Sequence, residues 1–151
     1  MGGQRLLSKS SEYAIRASLY VASQQILEQK KQPGIKQISE ALSIPAHYLG
    51  KLLQILTRHN LLSSTKGPTG GFFFSPEQQT IPLINLVEVF DGKQIFKRCG
   101  LGLKLCSETH PCPLHNDYAP VRDGFEKALS AHTIVGLLES LENGDTFLVS
   151  Q

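Results

Sequence analysis

The sequence contains no apolar run near the roughly 18 residues that a membrane-spanning helix requires. Its first residues also lack the charged, apolar and small-residue order of a secretory signal. A protein that stays in the cytoplasm and away from membranes is therefore expected. Met1-Gly2 matches the opening of a myristoylation signal, yet Leu6 stands where that signal needs Ser or Thr, which excludes it. Cysteine is scarce. The 151 residues include three, an odd number confined to 14 positions, whereas a disulfide framework would spread an even set through the chain; a reducing compartment fits better. There is no close Cys-x2-Cys pair of the kind that forms a zinc knuckle.

Net charge is also small, +2 at neutral pH, but it is segregated. Residues 1–75 carry nine Lys or Arg against three Glu, a net of +6, and the remainder six against ten acids, a net of −4. A basic module joined to an acidic one suits a nucleic-acid binder with a separate sensor or dimer region.

The basic half reads as three helices and a hairpin. Over residues 12–26, Ala14, Ile15, Leu19, Ala22 and Ile26 share a helical face, with Ser8, Ser10 and Ser11 offering capping oxygens. Pro33-Gly34 breaks the chain, and a second helix over 35–42 is expected to bury Ile35, Ile38, Ala41 and Leu42. Only Ser43 and Ile44 separate it from Pro45, which fits the first position of a third helix running to about residue 59. Tyr48, Leu49, Leu52, Leu53, Ile55 and Leu56 form its inner side, leaving His47, Gly50, Lys51, Gln54 and Arg58 outside. A short helix, a tight turn and a longer helix with a polar outer face match a helix-turn-helix whose second helix enters the major groove of DNA. Residues 61–65 and 72–75 then read as strands around Lys66-Gly67-Pro68-Thr69-Gly70-Gly71. The backbone of this basic, glycine-rich tip can approach a phosphate chain or a narrow minor groove closely.

A linker over 76–80 leads to a helix over 82–90, with Leu83, Leu86, Val87 and Phe90 inside and Asp91-Gly92 closing it. Next comes Cys99-x6-Cys106-x5-Cys112, with His115 three residues further on. Thiolates suit zinc and iron-sulfur centres alike. The long spacing, with Gly100 and Gly102 inside it, makes a lasso able to wrap a cluster. Zinc and unligated or disulfide-forming thiols remain as alternatives. So does a thiol enzyme using Cys112 and His115 as nucleophile and base, for which the sequence signals neither an oxyanion site nor a substrate pocket. Three cysteines leave at least one coordination position to another donor, and His115 is the candidate within the loop. Over 117–131, Val121, Phe125, Ala128 and Leu129 line one helical face, with Pro120 in the first turn. Thr133 can cap a further helix containing Ile134, Leu137, Leu138 and Leu141, and the tail after Asn143 is expected to be loosely held.

Four segments, in this order, carry a family resemblance: Ser8-Lys9-Ser10-Ser11-Glu12-Tyr13-Ala14-Ile15-Arg16-Ala17, Ile44-Pro45-Ala46-His47-Tyr48-Leu49-Gly50-Lys51-Leu52-Leu53, Lys66-Gly67-Pro68-Thr69-Gly70-Gly71-Phe72 and the three-cysteine loop. Over about residues 6–143 the chain resembles the bacterial winged-helix regulators of the IscR and NsrR family, several of which carry an iron-sulfur cluster. The resemblance implies a mainly α fold with a small β-wing, made of a winged helix-turn-helix domain (1–80), a connecting helix and cysteine loop (81–116), dimerisation helices (117–143) and a tail (144–151). It implies a homodimer, crossing at the helix over 117–131, on a palindromic double-stranded DNA operator. The DNA contacts so implied are Ala46, His47, Tyr48, Gly50 and Lys51, with His47 and Gly50 nearest the bases, and Lys66, Gly67, Pro68, Thr69, Gly70 and Gly71 in the wing.

By the same resemblance Cys99, Cys106 and Cys112 hold a 4Fe-4S or 2Fe-2S cluster, the former ranked first. It adds Glu12 as a ligand, slightly ahead of His115, because in some similar regulators an acid at this place reaches the cluster of the opposite protomer. A glutamate in a first helical turn is also favoured by the helix dipole alone. The chain departs from the family pattern where Gly50 replaces an acidic side chain of IscR, so operator preference does not carry over. Lys66 replaces the usual Arg and loses its bidentate contact, and Thr69 replaces a common Gly. The implied function is transcriptional regulation, without enzymatic activity, in response to redox state, nitric oxide or iron-sulfur status.

Overall fold

The computed structural model describes residues 6–29 and 31–149; Met1-Gly2, and with it the myristoylation reading, lies outside the described residues, as do the last two residues of the tail. Helix α1 (Lys9–Ala22) starts where Ser8 Oγ accepts the Ser11 amide at 3.1 Å, satisfying one of the first turn's orphaned donors. The helix thus begins ahead of the apolar stripe, because the capping serine sets its start. Ala14, Ala17, Leu19, Val21 and Ala22 are buried, and Ser23–Leu27 continues as a π-helical turn.

Helix α2 (Ile35–Leu42) buries Ile38 and Leu42, whereas Ile35, expected inside, is 37% exposed at the end of the same face, and Ala41, also expected inside, is exposed. Two turns packed on one side have room for only a narrow apolar stripe. Ser43 closes α2 in the left-handed region at φ 54°, with the Ile44 amide on the Ser39 carbonyl at 3.2 Å, a Schellman-type end made without glycine. Helix α3 (Ala46–Arg58) follows, with Pro45 as its N-cap and not, as expected, its first helical residue. Leu49, Leu52, Leu53 and Leu56 are buried. Asn60, at φ 57°, ends α3 and turns the chain into strand β1 (Ser63–Thr65), which pairs antiparallel with β2 (Gly71–Phe73) in the register Ser63↔Phe73, Ser64↔Phe72, Thr65↔Gly71. The strands are shorter than expected because Leu61, Leu62 and Phe74 leave the ladder for the core.

Gln78 fastens the base of this wing. Its side chain is 4% exposed; Nε2 donates to the Asn60 carbonyl at 3.3 Å and to Asn60 Oδ1 at 3.2 Å, and Oε1 accepts from Ser63 Oγ and the Ser75 amide, each at 2.9 Å.

Helix α4 (Leu83–Asp91) ends at Gly92, and a 3-10 turn (Lys93–Phe96) leads into the cysteine loop. Helix α5 (His115–Ala131) starts two residues earlier than expected, so Pro120 lies in its second turn. Leu129 is buried and Phe125 half-buried, but Val121 (64% exposed) and Ala128 are exposed, and Ala119 takes the buried place. Thr133 Oγ1 accepts the Gly136 amide at 2.9 Å, yet it caps only a 3-10 turn (Val135–Leu137) running into the five-residue α6 (Leu138–Glu142). The tail is tied where Arg16 Nε donates to the Leu148 carbonyl at 3.3 Å and Leu148 packs on the core. That core is continuous from Ala14 through Leu53, Leu62 and Leu86 to Leu129 and Leu138, so both halves share one apolar cluster. Among the described residues no helix is long and apolar enough to cross a membrane.

Candidate DNA-binding face and cysteine loop

The turn at Ser43 sets α3 beside α2 so that its polar side stays outside. A groove of about 590 Å³ runs along this side, lined by Ala46, His47, Gly50, Lys51 and Gln54, with Ile35 and Phe72 completing it. A Cβ at Gly50 would meet Ile35 Cδ1 at 3.4 Å, an ordinary contact, so the fold does not require glycine there and its effect is to widen the groove. Tyr48 differs from its neighbours. Its hydroxyl is 2.6 Å from Ser10 Oγ and its ring meets the edge of Tyr13 at 5.8 Å, so it anchors α3 to α1 and does not line the groove.

In the wing, Lys66, Gly67, Pro68 and Thr69 are exposed at the tip. Gly70 and Gly71 answer to internal packing: a Cβ on Gly70 would fall 2.1 Å from the Thr65 carbonyl oxygen, and one on Gly71 2.4 Å from that of Gln32. Gly71 is buried, and the Phe72 amide binds the Pro33 carbonyl at 3.0 Å, which stitches the wing to the segment before α2. Lys31 and Lys36 border a cleft beside Pro68 and Thr69, so two more cations stand next to the tip. Sequence reading missed them because their nearness to the wing depends on this long-range stitch. Gln54, with Thr57 and Ser64, also lines the groove; its outward position was legible in the helical period.

The cysteine loop lies against α5. Cys99 is buried, Cys106 and Cys112 are half-buried, and none is bridged. The Leu101 amide points at Cys99 Sγ at 3.4 Å. That amide first, then the Leu103 amide, hold the Cys99 thiol below its ordinary range against the opposing effect of burial, with help from Cys112 and the Gly102 amide. Burial pushes the Cys112 thiol up, and the negative charge of Cys99 and Cys106 adds to this against the Leu114 amide. Cys106 Sγ lies 3.1 Å from Nδ1 of His115, the first residue of α5. One loop thus brings three thiols and an imidazole into one neighbourhood.

Among the described residues no three His, Cys, Asp or Glu side chains converge on a point that a single metal ion could occupy. The donor set, soft thiols with one imidazole, fits a broader iron-sulfur centre. Glu12 is half-buried in the first turn of α1 and forms no ligand group with the thiols among the described residues. The start of α1 nevertheless borders the loop, since Ser8 lines a cavity of about 410 Å³ with Asp91, Arg98, Cys99, Tyr118 and Arg122.

A short helix, a tight turn, a second helix with a polar outer groove and a basic two-stranded wing define a winged helix-turn-helix protein. The Rrf2 family model, described as an iron-dependent transcriptional regulator, matches residues 7–140. The chain belongs to the Rrf2 family and is a transcriptional regulator, not an enzyme. It is 29% identical over 141 residues to the HTH-type transcriptional regulator IscR of Photorhabdus laumondii, covering 91% of this chain and 83% of that one. Its fold is similar to that of IscR from T. potens (TM-score 0.69, 21% identity, 96% of this chain and 93% of that one). It is equally similar to CymR, the global cysteine regulator of B. subtilis (TM-score 0.69, 19% identity, 88% and 95%).

Proposed function

We propose that the protein is a homodimeric, operator-binding regulator of the cytoplasm whose cysteine loop holds an iron-sulfur cluster, 4Fe-4S or 2Fe-2S, through Cys99, Cys106, Cys112 and one further donor. The observation that carries this reading is the 3.1 Å approach of His115 Nδ1 to Cys106 Sγ within a loop that also holds the free thiols of Cys99 and Cys112. It favours His115 over Glu12 as the fourth ligand, reversing the order taken from the sequence. Bound there, such a cluster would supply a centre sensitive to oxidation, nitric oxide and iron supply. The chain's own residues do the rest. The Leu101 amide stabilises the Cys99 thiolate, and His115 joins the loop to the start of α5.

Val121, Gly124 and Ala128 form an exposed stripe at helical spacing on the outer face of α5, suited to a close crossing with the same helix of a second copy. Loop order would thereby bias the separation of the two α3 helices, which must meet half-sites about 34–36 Å apart on a palindromic operator. His47, Gly50 and Lys51 face the bases, Ala46 stands at the entrance of α3, and Lys66 through Thr69 reach the backbone or minor groove.

The test is the visible spectrum, with iron and sulfide content, of protein purified without oxygen. Broad visible absorption with matching iron and sulfide, lost in Cys106→Ala while the fold persists, supports the reading; unchanged cluster content in that variant sinks the assignment. Three free cysteines on one loop favour a second reading, a thiol-based regulator without a cluster. A colourless protein that still binds operator DNA would decide for it, or for the zinc alternative if zinc is present.

A further inference from the structure

Three residues on the inward face of α5 meet the cysteine loop, each at a different point. His115 meets Cys106. The Tyr118 ring lies so close to Gly100 that a Cβ there would sit 2.8 Å from it, so this contact requires glycine. Arg122 Nη1 donates to the carbonyl of Arg98, the residue before Cys99, at 3.3 Å, and Arg122 lines the same cavity as Cys99. The Arg122 side chain is 13% exposed, and its Nε and Nη2 hold Asp123 Oδ1 at 3.0 and 2.8 Å. A charge this enclosed requires partners. Asp123, 60% exposed, satisfies one edge of the guanidinium, and the cysteine loop satisfies the other.

We infer that Arg122 is the positioning residue of the cysteine loop: from α5 it pins the Arg98 carbonyl and holds a fixed positive charge beside Cys99, the first thiolate ligand. The inference rests on the cluster reading above and adds to it a residue that sets the potential and links the loop to the dimer helix. Hydrogen bonds and positive charge at a ligating sulfur stabilise the more reduced, more negative state and raise the reduction potential. Pinning through a backbone carbonyl also orders the loop in metal-free protein.

The test uses the full chain, reconstituted with iron and sulfide without oxygen, and its Arg122→Gln, Arg122→Lys and Asp123→Asn variants. Arg122→Gln is expected to lower the reduction potential by a tenfold change in the oxidised-to-reduced ratio, about 59 mV for one electron. Arg122→Lys, which keeps the charge, recovers part of the shift. Asp123→Asn removes an opposing charge but keeps an acceptor oxygen, and moves the potential upward by less. An arginine that only braced the fold would not produce shifts of opposite sign. In metal-free protein, hydrogen exchange of amides 99–106 should quicken in Arg122→Gln while those of α3 stay unchanged. If Arg122→Gln does not fold, Arg122→Lys and the exposed Asp123→Asn carry the same measurement. Loaded variants with the wild-type potential, or loop amides that exchange as in wild type, overturn the inference. Wild-type protein that takes up neither iron nor sulfide overturns the cluster reading instead, and the exchange experiment then decides the pinning by itself.

Discussion

The Ser11 hydroxyl donates to Asp91 Oδ2 at 2.5 Å across 80 positions of sequence, and the Ser8 amide reaches the same oxygen at 3.2 Å. The carboxylate that ends α4 therefore sits at the N-terminus of α1, where the helix dipole favours negative charge. Glu12 stands one residue beyond Ser11, and the cysteine loop begins a short turn after Asp91, so this contact fixes the start of α1 against the segment that leads into the cysteine loop.

Replacing Asp91 with Ala leaves the fully buried Ser11 without this acceptor. A loss of about 1–3 kcal/mol is expected, since a buried polar group stripped of its partner forfeits its desolvation cost. Urea unfolding should show a lower midpoint with an unchanged slope. Wild-type stability in the variant would show that the contact is idle.

Gln78 is the second polar group on which the fold depends. Gln78→Ala removes bonds to Asn60, Ser63 and Ser75 at once and should cost roughly 2–3 kcal/mol, felt first at the wing. Amide exchange in the wing should rise more than in α1, and DNA affinity should fall although no DNA-facing residue has changed.

Lys66 is exposed at the entrance to the wing tip. If it neutralises one phosphate per protomer, Lys66→Ala reduces the slope of log K against log salt by about 0.9 per protomer, for operator and random DNA alike. A loss confined to one sequence would instead make Lys66 a base reader.

Val121 is 64% exposed in the single chain. Val121→Asp places a charge on the α5 stripe and should convert a dimer to a monomer in sedimentation velocity, with operator affinity falling as the second half-site is lost. A wild-type monomer, or a variant that remains dimeric, would move the interface elsewhere.

Period and punctuation in the chain were enough to locate the helix pair, the wing, the order of elements and the cysteine loop. Ile38, Leu49, Leu53 and Leu56 are buried as the 3.6-residue period requires, and Thr133 caps the turn it precedes. Errors gathered where a residue's surroundings come from distant chain. Ile35, at the start of α2, lines the groove beside Gly50 and Phe72 where the core would have been expected, and Ala41 is exposed. The reason the fold itself requires glycine at positions 70 and 71, the closeness of the Thr65 and Gln32 carbonyls, was likewise not legible in the chain.

The spacing of three thiols and a histidine is written in the chain, and with it the chemistry the loop can perform, because ligand type depends on side-chain atoms alone. That Tyr48 belongs to Ser10 and Tyr13, that His115 turns towards Cys106, and that Arg122 reaches the Arg98 carbonyl came only with the packing of α1, α3 and α5. A periodic pattern tells which side of a helix is apolar; which polar groups meet across it depends on how the helices cross, and that is a property of the folded core.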